Sequence, residues 1–357
     1  MADKGILVIF KQLFDNISYT YTYLIAGKPG GEALIIDPVL DKLDHYLRLF
    51  DELDVKLVKA IDTHIHADHI TALGALRDTT QCITVMGMNS SADVVSMRVE
   101  DGDSIDIDGL SLTALYTPGH TDDSFCFLMD DRVFTGDTLF IRGTGRTDFQ
   151  QGNPTDMYRS IQGKLLTLPD DILVYPGHDY KGDTVSTIGE ERAFNPRLQV
   201  SGIDEFVHIM DNLNLPDPKL MDIAVPANQA IGMEQSSTVN KDYSLSVQVA
   251  SQHINDPSMV FVDLREDTER QRYGVIPGSI HLPYVDLQQA IELGGLLHSI
   301  NQMNDTQQML LYCAYGERSV LALHTMQHSG YMNVCHMEGG VNAWKEQDLP
   351  LTQLQSS

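Results

Sequence analysis

Seven side chains able to ligate a metal recur in four short loops of this chain. His64, His66, Asp68 and His69 lie within six residues, as His-Ile-His-Ala-Asp-His. His120 follows in Thr-Pro-Gly-His-Thr, Asp137 in Phe-Thr-Gly-Asp-Thr and His178 in Tyr-Pro-Gly-His-Asp. Neutral imidazoles and carboxylates supply the lone pairs a divalent cation needs, and several strand ends must converge to deliver them. A glycine before each of the last three lets backbone fold closely behind the ligand. Of the 13 histidines in the chain, five occupy these loops, so the set reads as a metal centre. The residues leave two arrangements open. One ion can be held by part of the set, or two zinc ions can share all seven groups and activate a bridging hydroxide.

A second reactive group is Cys313, in Cys-Ala-Tyr-Gly-Glu-Arg318. It follows the apolar run Met309–Tyr312 and precedes a helix beginning near Ser319. A thiol at a strand end, in a tight loop leading to a helix N-terminus, sits among backbone N–H groups that favour a thiolate and any anion beside it. Gly316 permits the curvature and Arg318 adds a positive charge. Cys82, Cys126 and Cys335 lie among apolar strand residues and read as core.

The elements that must position these groups follow from apolar patterning. Ile6–Phe10, Tyr19–Ala26, Glu32–Asp37 and Val55–Asp62 read as strands, and Asp41–Leu53 as an amphipathic helix. A further helix runs through Leu73 and Leu76. Ile105–Tyr116 and Ser124–Thr135 read as hairpin-forming strands, the second turning at Asp130-Asp131. Met157–Leu168 is expected to be helical, and Ile172–Tyr175 a buried strand. Strands in antiparallel runs with interleaved helices predict a layered αβ sandwich over residues 1–232. Residues 233–243 are polar and read as a linker. Beyond it, over 244–357, the rhythm restarts: a helix at Val247–Ile254, strands at Met259–Leu264 and Met309–Tyr312, and a helix at Ser319–Ser329 ended by Gly330. This predicts a second, smaller α/β domain.

Length and composition agree with two globular domains: 357 residues, 42% hydrophobic and 21% charged. Lys plus Arg number 24 against 50 Asp plus Glu, a net charge of −26 spread over both parts. That field repels nucleic acid and anionic membrane surface, so neither is an expected partner. Four scattered cysteines without CxxC pairing make no disulfide framework and point to a reducing cytoplasm. The apolar stretch Gly5–Phe10 is too short for a signal-peptide core, and no run is long enough to span a bilayer.

The His-x-His-x-Asp-His run with its later Gly-His, Gly-Asp and Gly-His resembles the metallo-β-lactamase superfamily, whose fold is an αββα sandwich. Thr63–Ile70, Thr117–Thr121, Gly136–Leu139, Arg142-Gly-Thr-Gly-Arg-Thr-Asp-Phe-Gln150, Asn195-Pro-Arg-Leu198 and Asn212-Leu-Asn-Leu-Pro216 narrow the resemblance. They are similar to the persulfide dioxygenases of the ethylmalonic-encephalopathy-protein type, over roughly residues 6 to 232. The resemblance implies one Fe(II) per chain, held by His64, His120 and Asp137. His66, Asp68, His69 and His178 then orient those ligands, or serve a second metal in the two-zinc alternative. The implied reaction is oxidation of glutathione persulfide by O2 to sulfite and glutathione. Arg142, Arg146, Tyr180 and Lys181 are candidates to hold this substrate, although Arg146 also suits an ion pair with Asp148. Dimers are common in the resembled family.

Cys313–Arg318, with Val262-Asp-Leu-Arg-Glu266, Gly274–Pro283 and Glu338-Gly-Gly-Val-Asn-Ala-Trp344, resembles the rhodanese-type sulfurtransferases over about 244 to 352. That implies a small α/β domain with a parallel sheet. Cys313 would carry sulfane sulfur between thiosulfate, or a persulfide, and glutathione, with Arg318 and Gly316 shaping the loop. Many thiosulfate-using rhodaneses place extra Arg or Lys inside the loop, where this chain has Ala314, Tyr315 and Glu317. Two other readings of the whole chain are a dinuclear zinc thioester hydrolase of glyoxalase-II type fused to a sulfurtransferase, and a non-catalytic persulfide carrier or sensor.

Overall fold

A computed structural model describes residues 9–213, 215, 220–231, 243–303 and 307–354. The chain divides into two compact units, Met1–Asp93 with Met97–Ile231, and Val94–Ser96 with Gly232–Ser357. Residues 6–8 of the first expected strand, and the expected linker up to residue 242, lie outside the described residues.

The first unit is built on two six-stranded sheets. One runs in the order β1 (Ile9–Phe14), β2 (Tyr21–Ala26), β3 (Glu32–Ile36), β4 (Lys56–Ile61), β5 (Ile83–Gly87), β6 (Met97–Val99). Pairing is antiparallel as far as β3 and parallel from β3 onward. The other sheet places β7 (Ser104–Ile107), β8 (Leu110–Tyr116), β9 (Phe125–Leu128), β10 (Arg132–Gly136), β11 (Leu173–Pro176) and β12 (Ser186–Thr187) side by side in that order. Only β10 and β11 pair in parallel there.

The two sheets meet face to face through aromatic side chains. Tyr23 of β2 lies with ring centroids 4.9 Å from Phe134 and 5.6 Å from Tyr175. The inner strands β2 and β5 are buried at every position, whereas the edge strand β1 is half-exposed. Helices cover the outer sides: α1 (Leu43–Leu53) turns Tyr46 and Phe50 inward, and α2 (Leu73–Thr80) turns in Leu73 and Leu76. Beyond the other sheet, α3 (Pro154–Gly163) and α5 (Ile203–Asp211, after α4 at Ile188–Phe194) bury Met157, Ile161, Phe206 and Met210 against Cys126, Val133 and Val174. This is the expected αββα sandwich. α6 (Met221–Gln229) ends the described part of the unit.

Two local expectations change. Ile105–Tyr116 is two strands, because Gly109 turns the chain at φ +82°. The helix expected at Met157–Leu168 starts earlier. The Asn153 side chain accepts from the Thr155 and Asp156 N–H groups with Pro154 in the first turn, and the helix gives way to a 3-10 turn at Leu165–Thr167.

The second unit is a five-stranded, all-parallel sheet. β13 (Ser244–Leu245), β17 (Val334–Met337), β16 (Gln308–Tyr312), β14 (Met259–Asp263) and β15 (Ile280–His281) stand in that order. Its crossovers include α7 (Val247–Ser251), shorter than the Val247–Ile254 expected, then α8 (Asp267–Tyr273), α9 (Leu287–Ile291), α10 (Leu296–Met303) and α11 (Glu317–His328), and α12 (Gly340–Glu346) follows the last strand. Trp344 of α12 is fully buried in the core with Phe261, Tyr312 and Met337. Among the described residues no helix is long and apolar enough to cross a membrane.

Candidate functional site

All four metal loops leave the C-terminal ends of strands in the first unit: β4 leads to His64, β8 to His120, β10 to Asp137 and β11 to His178. The sandwich therefore delivers the seven groups to one edge. Potential ligand atoms of His64, His120 and Asp137 lie within 4.8 Å of one another. His120 Nε2 stands 3.4 Å from Asp137 Oδ2.

The other ring nitrogens of the two histidines are engaged. His120 Nδ1 donates to the Arg146 carbonyl at 2.7 Å. Thr63 Oγ1 donates to Asp37 Oδ2 at 3.0 Å, so it accepts from His64 Nδ1 at 2.9 Å. Both Nε2 lone pairs are then free for a cation. Burial, followed by the neighbouring His66, holds His64 well below the usual histidine range, which keeps it neutral. Two imidazole nitrogens and a carboxylate oxygen so arranged fit a divalent transition metal.

The remaining four groups hold this trio in place. His178 bridges two carboxylates, with Nδ1 2.7 Å from Asp137 Oδ1 and Nε2 2.8 Å from Asp68 Oδ2. Burial opposes its charge, but the two aspartates raise its pKa well above the usual range. Burial likewise opposes the charge on His66, yet Asp37 at 3.1 Å, with Asp62 and Asp68, pushes its pKa up to about 9. Asp68 also lies 3.1 Å from His69 Nδ1. His66 Nδ1 and His69 Nε2 are buried without a hydrogen-bond partner.

The trio opens into a cavity of about 490 Å³ whose wall includes Arg142, Arg146, Tyr180 and Lys181. Two of the expected cations are already matched by carboxylates. Arg142 pairs with Glu190 and Glu191, and Arg146 holds Asp148 through bonds of 2.7 and 2.8 Å. Tyr180 is 65% exposed and stacks on His178 with centroids 6.0 Å apart. Its loop is fixed by Asp179, whose Oδ2 accepts the N–H groups of Lys181, Gly182 and Asp183.

Sequence reasoning missed Arg197 as a lining residue. Its Nη1 donates to the Thr144 carbonyl and hydroxyl at 2.6 and 2.9 Å. Burial lowers its pKa, and among the described residues neither Arg197 nor Lys181 has an ion-pair partner. The signal was present in Asn-Pro-Arg-Leu198, but only the fold brings that arginine to the cavity.

In the second unit, Cys313 directly follows β16 and is fully buried. The Gly316 N–H donates to its Sγ at 3.1 Å, and Gly316 adopts φ +95° at the start of α11. The loop rests on α12: the N–H groups of Val341 and Asn342 donate to the carbonyls of Cys313 and Ala314. A Cβ at Gly340 would stand 2.5 Å from both carbonyl oxygens, so glycine is required there. Arg318 is buried, with its two terminal nitrogens bonded to Glu269 at 2.8 and 2.6 Å.

Comparison with known proteins gives the same division. The metallo-beta-lactamase superfamily pattern matches residues 16–92 and 87–178, and the rhodanese-like domain matches 246–347. Human mitochondrial persulfide dioxygenase ETHE1 is 46% identical over 234 residues, which is 65% of this chain and 91% of that protein. The crystal structure of ETHE1 from Myxococcus xanthus superposes with a TM-score of 0.62 at 54% identity, covering 63% of this chain and all of that one. A structure described as a metallo-beta-lactamase from Staphylococcus aureus has a TM-score of 0.59 at 25% identity, and covers 94% of this chain and 99% of its own. The chain therefore belongs to the ETHE1-type persulfide dioxygenase family, with a rhodanese domain following its metallo-beta-lactamase domain.

Proposed function

We propose that the first unit oxidises glutathione persulfide with O2 to sulfite and glutathione, using one Fe(II) per chain. The second unit passes sulfane sulfur between thiosulfate, or a persulfide, and glutathione through a persulfide on Cys313. The observation that carries the first part is the convergence of two imidazoles and one carboxylate beneath a cavity with cationic walls. Bound by His64, His120 and Asp137, iron supplies the one-electron chemistry that lets O2 react with a sulfur anion. The chain's own residues do the rest. Thr63 and the Arg146 carbonyl hold the ligand rings in the tautomer with Nε2 free. His178 fixes the Asp137 carboxylate by pairing with it. Lys181 and Arg197 bind the glutathione carboxylates, and Tyr180 forms an apolar wall for the thiol arm. Four free, buried cysteines suit a reducing, cytoplasmic setting.

One observation favours a second reading, a dinuclear zinc thioester hydrolase. The unpartnered His66 Nδ1 and His69 Nε2 are lone pairs or protons awaiting a partner, and a second cation would supply one. Metal content separates the two: one iron per chain supports the dioxygenase, two zinc ions the hydrolase. The activity test is oxygen uptake with glutathione persulfide by the Fe(II)-loaded protein. Uptake is expected to vanish in His120→Ala, and equal uptake in both proteins overturns the assignment. Cys313→Ser is expected to lose sulfur transfer to glutathione while keeping oxygen uptake. Survival of transfer removes Cys313 from its role.

A further inference from the structure

The turn between β1 and β2 carries a hydroxyl into the middle of the groups that the metal trio leaves over. Thr20 is fully buried. Its Oγ1 lies 3.1 Å from Asp68 Oδ2, 3.1 Å from His178 Nε2 and 3.3 Å from His69 Nδ1. On its remaining side it meets Ser18 Oγ at 2.8 Å, and the Ser18 hydroxyl donates to Asp15 Oδ2 at 2.8 Å. These contacts use the one proton and two lone pairs that a hydroxyl has.

The backbone fixes that oxygen in place. Thr20 pairs with His178 in an isolated antiparallel bridge. The Tyr21 N–H donates to the Gly177 carbonyl at 2.8 Å, and the Asp15 N–H donates to the Thr20 carbonyl at 2.9 Å. Tyr19, just before, adopts φ +64°, a left-handed conformation uncommon for such a residue. Conformations of this kind persist where the surrounding contacts over-determine them. The branched β-carbon of Thr20 leaves it few rotamers, so the turn presents this oxygen rigidly to the three side chains.

Those side chains are the ones a second cation facing the cavity would use. Asp68 and His178 line the cavity wall, and His69 joins them through Asp68. A zinc ion stands about 2.1 Å from its nitrogen and oxygen ligands. The three atoms instead surround an oxygen about an ångström further from each, at hydrogen-bond spacing.

Given the one-ion reading of His64, His120 and Asp137, we infer that Thr20 limits the site to that one ion. Its hydroxyl fills the place a second ion needs and gives Asp68, His69 and His178 a hydrogen-bond partner there instead. A second cation has to expel the hydroxyl and strand it, buried, without a partner. Without that cation the site holds no bridging hydroxide, the nucleophile of the two-zinc alternative. Thr20 acts through the three side chains and is a positioning residue that selects how many metals bind.

The test counts metal, not turnover. Metal-free full-length protein is brought to equilibrium by dialysis against excess Zn(II), and zinc per chain is measured by elemental mass spectrometry, with circular dichroism to check folding. Wild type is expected to hold one zinc. Thr20→Ala empties the place and is expected to hold two, and adding His69→Ala is expected to return the count to one. Thr20→Cys keeps the side chain's size and offers a thiolate at the same point, so it is also expected to hold two and decides the matter if Thr20→Ala fails to fold. One zinc in wild type and still one in folded Thr20→Ala, or in Thr20→Cys where only that variant folds, overturns the role of Thr20 and leaves the one-ion reading standing. A second zinc that survives His69→Ala lies elsewhere and overturns it as well. Two zinc ions in wild type are a different result: they overturn the one-ion reading itself.

Discussion

At the scale of single residues, the metal site depends on where protons sit. Thr63 has one hydroxyl proton and gives it to Asp37, so it must accept from His64. Asp37 is itself shaped for this. It is buried, takes the Thr63 N–H at 2.7 Å as well as the hydroxyl, and adopts φ +50°, a left-handed conformation tolerated best by Asn and Asp among non-glycine residues. Thr63→Val keeps the shape and removes the acceptor, which leaves the His64 Nδ1 proton buried without a partner. Metal affinity is expected to fall about 10- to 100-fold, as it does when such supporting groups are lost elsewhere. Titration of the metal-free variant with Fe(II) or Co(II) measures this, and an unchanged affinity removes Thr63 from the positioning chain. None of this follows from the His-x-His-x-Asp-His spacing. That run announces ligands, whereas Asp37 is 26 residues from Thr63 in sequence and becomes its partner only through the parallel pairing of β3 with β4.

At the scale of elements, much was legible because strand ends and glycines mark each other. Gly119, Gly136 and Gly177 precede His120, Asp137 and His178, and each of those residues follows a strand. The sequence thus locates both the candidate metal-site residues and the edge that gathers them. The run Ile172–Tyr175, read as a buried strand, is β11 shifted by one residue, and the run Tyr19–Ala26, read as a strand, is β2, buried at every position. What stayed hidden depends on neighbours distant in sequence. Arg142 reads as a cavity cation until Glu190 and Glu191 are found against it, and Arg197 reaches the cavity only through the fold, whereas the pair of Arg146 with Asp148, two residues away, was legible in the sequence.

Gly145, in the segment after β10, is a further case. Its N–H donates to the Asp137 carbonyl at 2.9 Å, and a Cβ there would lie 2.1 Å from that oxygen and 3.0 Å from His120 Nδ1. Backbone cannot yield as a flexible side chain can, so Gly145→Ala must push the segment away and take the adjoining Arg146 carbonyl with it. Displacing the acceptor that aims His120 by even an ångström is expected to cost about 100-fold in oxygen uptake. Sulfur loading of Cys313, read in the same sample, serves as the internal control. Full uptake by this variant shows that the segment has slack and does not position His120.

At the scale of the whole molecule, the net charge of −26 acts against the proposed chemistry. Glutathione persulfide, thiosulfate and the product sulfite are all anions, and a negative field slows the approach of each. The cations near the metal site do not reverse this at a distance. Arg142 and Arg146 are neutralised by Glu190, Glu191 and Asp148, so the reach of Lys181 and Arg197 is confined to the cavity itself. Long-range repulsion and short-range capture respond differently to salt. Raising ionic strength from about 0.01 M to 0.1 M shortens the screening length from about 30 Å to about 10 Å, which removes most of the first and leaves contact-distance pairing largely intact. At low glutathione persulfide, kcat/KM for oxygen uptake is therefore expected to rise over this range, with kcat unchanged because encounter no longer limits at saturation. A fall in kcat/KM over the same range means that Lys181 and Arg197 dominate the field the substrate meets. The acidic surface would then be a matter of solubility alone.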